Sequence, residues 1–219
     1  VQNPGMETHI HPFQVFSKNS NTLTDFYLHT SPEFHMKKLL AEHNDLNDIY
    51  TLSYCFRDEP DSSTHRKQFI MLEWYRANED YNRIMEDTVS LFKYCHQYLA
   101  SKNFDAIEIG ADFKKLTVKE IFREVLDIDI LNLLDRRELY MVIESRFKNI
   151  NLTGNIEDYA WDDLFFLLMY NYIEPELKKY PFVLLYEFPA PLRALSTIKK
   201  NDQRVCERFE VYCHGIEIC

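Results

Sequence analysis

The chain has 219 residues, of which 46% are hydrophobic and 15% aromatic, enough for a sizeable core and against a disordered chain. Its 35 acidic and 25 basic side chains give a formal net charge of −10. This average disfavours binding of a polyanion such as tRNA unless a local basic patch steers it. No run of 18 apolar residues predicts a membrane span, and the first residues carry no signal-peptide pattern.

The cysteines and glycines exclude two common kinds of site. The five cysteines are scattered without a CxxC pair, which is typical of reduced cytosolic thiols rather than a disulfide framework or a zinc site. The four glycines form neither GxGxxG nor GxxxxGK[ST], so a glycine-rich phosphate loop is excluded. If the protein binds a nucleotide, side chains on a sheet must hold it.

The first part of the chain predicts a loop with room for one strand over residues 1–16, and a short strand over 25–30. Ser31, Pro32 and Glu33 then give a helix start, with serine as N-cap, proline at the first helical position and glutamate at the positive end of the dipole. An apolar stripe continues this helix to about His43. Capping alone would explain the three residues.

Residues 51–76 predict two strands joined by a long charged loop. Apolar residues alternate before the loop at Tyr50, Leu52, Tyr54 and Phe56, and Phe69, Met71 and Trp74 anchor the second strand. Such period-two spacing is the signal of a half-buried strand, with its apolar side turned to the core. A long loop on two sheet strands is a common place for binding residues.

The polar residues of this hairpin suggest a site. Arg57 and Glu59 leave the first strand two positions apart, as do Glu73 and Tyr75 on the second, so each pair is expected on one face. The loop adds three basic side chains above that face: His65, Arg66 and Lys67. The set suits a polyanion held beside a cationic amine. A solvated ladder of charged pairs is the simpler alternative.

The middle of the chain predicts helices. A 3.6-residue period runs over residues 78–99 and indicates a packed helix without chemistry. Thr117 and Glu120 form a capping-box pattern, and further helices are predicted over 136–147 and 161–172. We interpret about 102–180 as a helical insertion in which no residue is convincingly catalytic.

Two strand predictions close the chain. Residues 182–188 form a continuous apolar run, hence a buried strand that Pro189 and Pro191 end. Residues 204–218 predict a hairpin with its turn at His214 and Gly215. Its charged residues, among them Arg208, Glu210 and Glu217, are expected to face solvent more often than a ligand.

Taken together, the chain resembles the catalytic domain of class II aminoacyl-tRNA synthetases, in the lysyl branch. Five stretches carry the resemblance: LHTSPEFHMKKLLA at 28–41, FRDE at 56–59, FIMLEWYR at 69–76, PFVLLYEFPA at 181–190 and RFEVYCHGIEI at 208–218. Their order and spacing match, over nearly the whole chain and least at 102–160. The phrase LEWYR is similar to the stand-alone paralogues that attach a lysyl group to a lysine of elongation factor P.

The resemblance implies an α+β fold, one catalytic domain over 1–219 with a six-stranded mixed or antiparallel sheet flanked by helices, and a cytoplasmic homodimer. It places ATP against Arg57, Asp58, Glu59, His65, Arg66, Phe69, Glu217 and Ile218. Arg57 would hold the α-phosphate, Phe69 would stack on adenine, and Glu217 would also lie at the Mg²⁺. It places the amino-acid substrate against Ser31, Pro32, Glu33, Glu73 and Tyr75.

The chain also departs from the family pattern. The loop usually reads HNPEF, whereas here Arg66 replaces the asparagine and Gln68 the glutamate, which bears on nucleotide affinity. The family continues with an Asn-Gly segment and the third class motif, and its first-motif helix precedes the match, so we expect terminal parts of the catalytic domain to lie outside this chain.

The resulting hypothesis is ATP-dependent activation of lysine or β-lysine as an aminoacyl adenylate, followed by transfer to elongation factor P. Catalysis would rest on positioning and charge neutralisation, without a protein nucleophile. Two alternatives stay open: the catalytic domain of a lysyl-tRNA synthetase, and a degenerate, non-catalytic homologue that only binds a partner.

Overall fold

A computed structural model describes residues 10–62, 64–104, 113–150, 152 and 155–218. The chain divides into two compact units, Val1–Asp80 and Tyr81–Cys219, and each is described by itself. No described helix combines the length and the apolar character that crossing a membrane requires. The four described cysteines have free thiols.

The first unit holds two antiparallel hairpins and one helix. Its elements are β1 (Gln14–Ser17), β2 (Thr22–Tyr27), α1 (Glu33–Glu42), β3 (Asp48–Phe56) and β4 (Gln68–Arg76). The strand predicted over 25–30 therefore begins three residues earlier and ends at Tyr27. The Leu28 N–H still donates to the Phe13 carbonyl at 2.9 Å, and the next residue, His29, lies beside the end of β3. The Phe56 N–H donates to the His29 carbonyl at 3.0 Å, which fixes that approach.

The β3–β4 hairpin confirms the two predicted strands and pairs without a bulge from Asp48↔Arg76 to Phe56↔Gln68. The apolar side of the hairpin, however, is not the buried one. Tyr50, Leu52 and Tyr54 are 78%, 67% and 57% exposed, while Cys55 on the other face is fully buried. The period of two correctly identified a strand, but the spacing does not say which face meets the core, and here the mixed polar face is covered.

The second unit is built on a four-stranded sheet in the order β5-β6-β7-β8. These strands are β5 (Lys114–Thr117), β6 (Phe182–Tyr186), β7 (Phe209–Cys213) and β8 (Ile216–Glu217). β5 runs parallel to β6, and the other neighbours are antiparallel. The predicted buried strand is confirmed: Val183, Leu184 and Leu185 are fully buried, as expected for a strand with a neighbour on each side.

In the described part of the second unit, α-helices and short 3₁₀ turns accompany this sheet. Those of the second unit are α2 (Tyr81–Ser101), α3 (Val118–Leu126), α4 (Arg136–Arg146), α5 (Trp161–Leu168) and α6 (Glu174–Leu177), with 3₁₀ turns at Ile130–Asn132, Ile156–Asp158 and Ala190–Leu192. The capping box before α3 is confirmed: the Glu120 N–H donates to Thr117 Oγ1 at 3.1 Å, and the Thr117 N–H donates to Glu120 Oε2 at 2.7 Å.

A π-helical turn, Met169–Ile173, joins α5 to α6. In it the Glu174 N–H reaches back to the Met169 carbonyl, five residues earlier. Pro175 follows and has no N–H for a helical bond, so a widened turn just before it is physically reasonable. The helix predicted over 161–172 thus continues to Leu177 through a change of pitch.

The main core of the second unit lies between α3, α5, the π turn and the sheet. Phe122 stacks on Phe165 with centroids 5.1 Å apart, and Phe165 also meets Trp161 at 5.4 Å and Phe188 at 6.4 Å. A smaller cluster packs Met85 of α2 against Leu184 and Val211 on the sheet. Both clusters hold β6 and β7 in fixed positions, which matters for the side chains at their ends.

The α+β class is confirmed, but the single six-stranded sheet is not. The described strands form separate sheets of two, two and four strands. β1–β2, β3–β4 and β7–β8 are hairpins that pair sequence neighbours, and among the described strands only the β5–β6 and β6–β7 pairs join distant segments. A helical insertion over about 102–180 stays a prediction; the described part of that segment carries β5 and α3 to α6.

Candidate active-site residues

In the first unit, four predicted site residues lie on one face of the β3–β4 hairpin. Directly paired residues in an antiparallel ladder share a face, and the pairs Ile49↔Tyr75, Thr51↔Glu73 and Cys55↔Phe69 therefore belong to one side. The Arg57 N–H extends the ladder by donating to the Lys67 carbonyl at 3.0 Å, which places Arg57 beyond Cys55 on that side. The sequence analysis predicted this shared face for Glu73 and Tyr75.

Arg57 and Phe69 form the outer end of this face. The Arg57 Cζ lies 5.3 Å from the centre of the Phe69 ring, within the range of a cation–π contact. The Arg57 Nε also donates to the Thr30 carbonyl at 3.3 Å. The guanidinium is thus held between the hairpin and the segment that leads into α1, an arrangement that fixes its plane.

Glu73 and Tyr75 form the inner end. The Tyr75 hydroxyl donates to Glu73 Oε1, and both side chains are half-buried. A carboxylate with a phenol beside it offers a cationic amine one charged acceptor and one neutral oxygen. This confirms the expected neighbourhood of the two groups.

Cys55 lies between these two ends. Burial raises the pKa of its thiol; the Ser53 hydrogen bond and the Arg57 charge lower it, and the Glu73 charge raises it again. The register of the ladder places Cys55 on the face that also carries Glu73 and Phe69.

The three residues of the Ser31–Pro32–Glu33 stretch lie where the chain enters α1. Ser31 Oγ accepts a bond from the Glu33 N–H at 3.4 Å, and the Glu33 carboxylate pairs with Lys37 at 2.5 Å. Pro32 is buried and is itself the N-cap, so Ser31 is not the N-cap that the sequence predicted. The helix therefore begins at Glu33, one residue later than predicted. Since the preceding Thr30 contacts Arg57, this stretch adjoins the outer end of the hairpin face.

The loop after β3 holds its charged residues differently from the prediction. Lys67 Nζ pairs with Asp58 Oδ1 at 2.9 Å, and Arg66 Nη1 donates to the Ser62 carbonyl at 2.5 Å. His65 Nδ1 lies 3.0 Å from the Ser62 hydroxyl. β3 ends at Phe56, so the strand alternation that would put Glu59 beside Arg57 does not extend to it; Glu59 lies in the loop, half-buried.

In the second unit, Glu217 and Ile218 lie at the end of β8 and are exposed. The turn before them is confirmed: His214 and Gly215 have φ of 47° and 79°, both in the left-handed region that a two-residue hairpin turn requires. The Ile218 N–H donates to the Val211 carbonyl at 2.8 Å and ties the end of the chain to β7.

Glu210 on β7 is buried, which corrects the expectation that the charged residues of this hairpin face solvent. It is 5% exposed, and its carboxylate accepts bonds from Arg208 Nη2 at 2.5 Å and from the Tyr212 hydroxyl at 2.7 Å. Burial raises the pKa of the Tyr212 phenol, and the charges of Glu210, Glu217 and Glu174 raise it further. Both faces of β7 are buried, since Tyr212 packs in the main core and Val211 and Cys213 pack in the smaller cluster. Packing on both faces of the sheet, and not the local alternation, decides this.

Glu174 was missed by the sequence reasoning. Burial raises the pKa of its carboxyl, the Glu210 charge raises it further, and Lys178 lowers it. The available signal was the Ile-Glu-Pro-Glu sequence at the end of an apolar helix, where proline marks a break in the helical bonding. Glu174, Glu210 and Glu217 therefore form an acidic group in the second unit.

No group of three or more histidine, cysteine, aspartate or glutamate residues in the described part of the chain has metal-binding geometry. A single carboxylate such as that of Glu217 still fits a magnesium ion, because Mg²⁺ in nucleotide sites is usually held by one or two carboxylates together with substrate phosphates. Glu217 is exposed and at a strand end, whereas Glu210 is buried, so the Glu217 carboxylate is the more accessible of the two to an ion and its phosphates.

Comparison with known proteins agrees with this chemistry. The chain is 34% identical over 226 residues to the elongation factor P–(R)-β-lysine ligase of Erwinia tasmaniensis, covering 100% of this chain and 64% of the relative. It is 35% identical over 214 residues to that of Edwardsiella ictaluri, with 97% and 60% covered. The protein of the same name from Photorhabdus laumondii is 36% identical over 192 residues, with 88% and 54% covered.

This chain thus spans somewhat less than two thirds of the length of these relatives. A family model described as tRNA synthetases class II (D, K and N) matches residues 2–219. The match runs through both units, including the hairpin face with Arg57 and Glu73 and the end of β8 with Glu217. The chain therefore belongs to the class II tRNA synthetase family of the aspartate, lysine and asparagine branch.

Proposed function

We propose that the protein carrying this chain activates lysine or β-lysine with ATP and transfers it to a lysine of elongation factor P. The observation that carries the proposal is the hairpin face on which Tyr75 donates to Glu73 at one end and Arg57 lies over Phe69 at the other. The names of the relatives, ligases of elongation factor P and (R)-β-lysine, support the same substrates. The proposed enzyme is a cytoplasmic homodimer.

In this proposal the outer end of the face receives ATP. Arg57 neutralises the α-phosphate and the charge that develops as the amino-acid carboxylate attacks phosphorus and pyrophosphate leaves. Phe69 supplies the ring on which adenine stacks. The Arg57 guanidinium, which lies over this ring, moves aside or stacks on the adenine when ATP binds. The loop residues Asp58, Glu59, His65 and Arg66 contribute further contacts to the nucleotide.

The inner end receives the amino acid. Glu73 and Tyr75 hold the side-chain ammonium, since a carboxylate and a phenol oxygen both accept from it. Ser31, Pro32 and Glu33 adjoin Arg57 through Thr30, and they would contact the part of the amino acid that reacts. The order along the face, amine end first and phosphate end last, matches a substrate that attacks ATP with its carboxylate.

In the second unit, we assign Glu217 and Ile218 to ATP and Glu217 to Mg²⁺. The ion would neutralise phosphate charge and leave the protein residues to orient the reacting groups. Glu217 is suited to this by its exposure at the end of β8, and Ile218 by its backbone bond to β7.

The acceptor is assigned to a protein rather than to tRNA. The chain carries 35 acidic and 25 basic residues, and the basic pairs Lys37–Lys38, Arg66–Lys67 and Lys199–Lys200 are short. Four of these lysines form ion pairs within the chain: Lys37 with Glu33, Lys38 with Glu42, Lys67 with Asp58 and Lys199 with Glu187. A tRNA ligand would need several phosphates neutralised, whereas a protein acceptor needs only a lysine-bearing loop.

The test is exchange of labelled pyrophosphate into ATP by the full-length protein, with lysine and with β-lysine supplied separately. Arg57→Ala should lower the exchange rate by about 100- to 1,000-fold, the usual loss for a preorganised charge in the transition state. Arg193→Ala is the matched control, since Arg193 is exposed in the second unit and has no assigned role. Undiminished exchange in Arg57→Ala would remove Arg57 from its assigned role. Absence of exchange from the native protein with both amino acids would contradict the proposal and favour a binding-only homologue.

A further inference from the structure

A cleft of about 470 Å³ opens in the second unit beside the π turn. Asp158, Tyr159, Asp163, Phe166, Leu167 and Tyr170 line it. These residues belong to one continuous segment, which contains the 3₁₀ turn Ile156–Asp158, Tyr159, α5 and the π turn. The cleft is therefore a local feature of one unit.

Aromatic side chains form one wall of this cleft. Phe166 and Tyr170 stack with their centroids 5.6 Å apart and their planes at 19°. Tyr170 is 61% exposed, an unusual position for a large ring one turn away from a buried core. Stacked aromatic faces present negative quadrupoles that attract ammonium and guanidinium groups.

Two carboxylates form the other wall. Asp158 Oδ2 accepts from the Asn155 N–H at 2.6 Å, and Asp163 Oδ2 accepts from the Ala160 N–H at 2.8 Å. These backbone bonds fix both side chains at the rim without neutralising their charge. Each carboxylate keeps acceptor capacity, since it has two oxygens with two lone pairs each.

The surrounding sequence is strongly anionic. Residues 155–177 contain no lysine or arginine, and their acidic residues are Glu157, Asp158, Asp162, Asp163, Glu174 and Glu176. Glu157 pairs with Arg136 of α4 at 2.5 Å, so its charge is compensated away from the cleft. The charge that faces the cleft is that of Asp158 and Asp163, and it calls for a cationic partner.

The cleft adjoins the acidic group of the second unit through Tyr170. Glu174 follows the π turn that holds Tyr170, and its carbonyl oxygen would lie 3.1 Å from a Cβ on Gly215, in the turn before Glu217. Consistent with this placement, burial raises the pKa of the Tyr170 phenol, and the charges of Glu174, Glu217 and Glu210 raise it further.

We propose that the cleft between Asp158, Asp163 and the Phe166–Tyr170 stack docks a lysine- or arginine-bearing segment of the protein acceptor. This inference rests on the proposed function and specifies how its acceptor is recognised. The stacked rings cover the aliphatic stem of the basic side chain, the two carboxylates bind its charged head, and the cleft orients the segment beside Tyr170.

The test measures binding of elongation factor P to the full-length protein by calorimetry. Asp158→Asn/Asp163→Asn removes both charges and keeps an oxygen for each backbone bond, so the turn and α5 should stay folded. Tyr170→Ala removes the exposed ring alone. Glu124→Gln/Glu144→Gln is the matched control, because it changes net charge equally at exposed positions of α3 and α4 outside the cleft.

We expect each cleft variant to weaken binding by roughly tenfold, as for charged or cation–π contacts that are partly desolvated, and the control by less than about twofold. Higher salt should weaken the native complex more than that of the double Asn variant. Binding by both cleft variants within about twofold of the native value, or an equal loss in the control, overturns the proposal.

Pyrophosphate exchange separates this inference from the proposed function. Amino-acid activation should be unchanged in the cleft variants, while transfer to elongation factor P should show a raised KM with little change in kcat. If activation is absent from the native protein, the proposed function fails on that measurement. The cleft is then still judged by the calorimetric comparison.

Discussion

In the proposed function, substrate choice depends at the residue scale on the Glu73–Tyr75 pair. Both groups are half-buried, and the phenol donates to the carboxylate, so the pair is oriented before a ligand arrives. A site built for a cation leaves its acceptors unpaired when a neutral analogue binds, and this difference is the origin of selectivity.

We expect Glu73→Gln to lose most of the preference for lysine over neutral analogues of similar length. The change keeps the shape and removes the charge, so the discrimination in kcat/KM should fall by about 10- to 100-fold. Pyrophosphate exchange with lysine and with norleucine measures it. Thr51→Ser, on the register partner of Glu73, is the control. An unchanged preference would show that Glu73 does not hold the ammonium.

Asp202 gives a pH-dependent prediction at the same scale. Bonds from the Arg204 side chain and N–H lower the pKa of Asp202 to about 2. Because this is below the unfolded value of about 3.9, its stabilising contribution is complete above that pH and is lost as pH falls through about 2. NMR titration should show Asp202 protonating near pH 2 in the native protein and higher in Arg204→Gln. The same midpoint in both proteins would contradict the assignment.

At the scale of elements, the β7–β8 turn is held against the helix that carries Glu174. A Cβ on Gly215 would lie 2.5 Å from Lys178 Cγ and 3.1 Å from the Glu174 carbonyl oxygen, at a φ of 79°. The turn therefore needs glycine both for its conformation and for its contact with α6. Since Glu217 lies two residues after Gly215, the contact between Gly215 and α6 limits the positions that the Glu217 carboxylate can occupy.

Gly215→Ala is expected to lower the free energy of unfolding by about 1–3 kcal/mol, the cost of left-handed strain plus the close approach. Lys178→Ala/Gly215→Ala should recover part of it, since the nearest atom is a side-chain carbon and the carbonyl contact remains. His214→Gly, at φ 47°, is the control and should be neutral or stabilising. Urea denaturation measures all three. A full recovery in the double variant would mean that backbone strain contributes nothing.

At the scale of the whole molecule, charge separates the protein acceptor from tRNA. A tRNA synthetase loses affinity steeply with salt because each neutralised phosphate releases counterions. This chain has a formal net charge of −10, which disfavours a polyanionic ligand. We therefore expect the full-length protein to transfer its activated amino acid to elongation factor P and to leave tRNA uncharged at physiological salt. Parallel transfer assays with both acceptors test this. Efficient tRNA charging with no protein modification would favour a lysyl-tRNA synthetase.

Tertiary packing, and not the sequence of the strand, determines which face of the β3–β4 hairpin is exposed. Tyr50, Leu52 and Tyr54 stand on one face, and Ile70 and Leu72 continue it on β4, with 57% and 41% exposure. Alternation of apolar and polar residues predicted the strand correctly and the buried side wrongly. The reason is that both faces contain large apolar side chains, and only the tertiary arrangement selects the one that is covered.

The sequence by itself determined the local elements and the pairs of residues they create. The capping box at Thr117, the turn at His214–Gly215, the β3–β4 hairpin and the shared face of Glu73 and Tyr75 all follow from interactions between residues close in sequence or from strand alternation. The family resemblance added the roles of Arg57 and Glu217, which spacing alone left as ordinary surface charges.

Only the tertiary structure decided which charged groups are buried and which strands join. Glu210 is covered because both faces of β7 are buried in the second unit, and the charge of Glu210 acts on Glu174 although 35 residues separate them in the chain. Burial and sheet order arise from contacts between residues far apart in sequence, so alternation and capping signals cannot specify them.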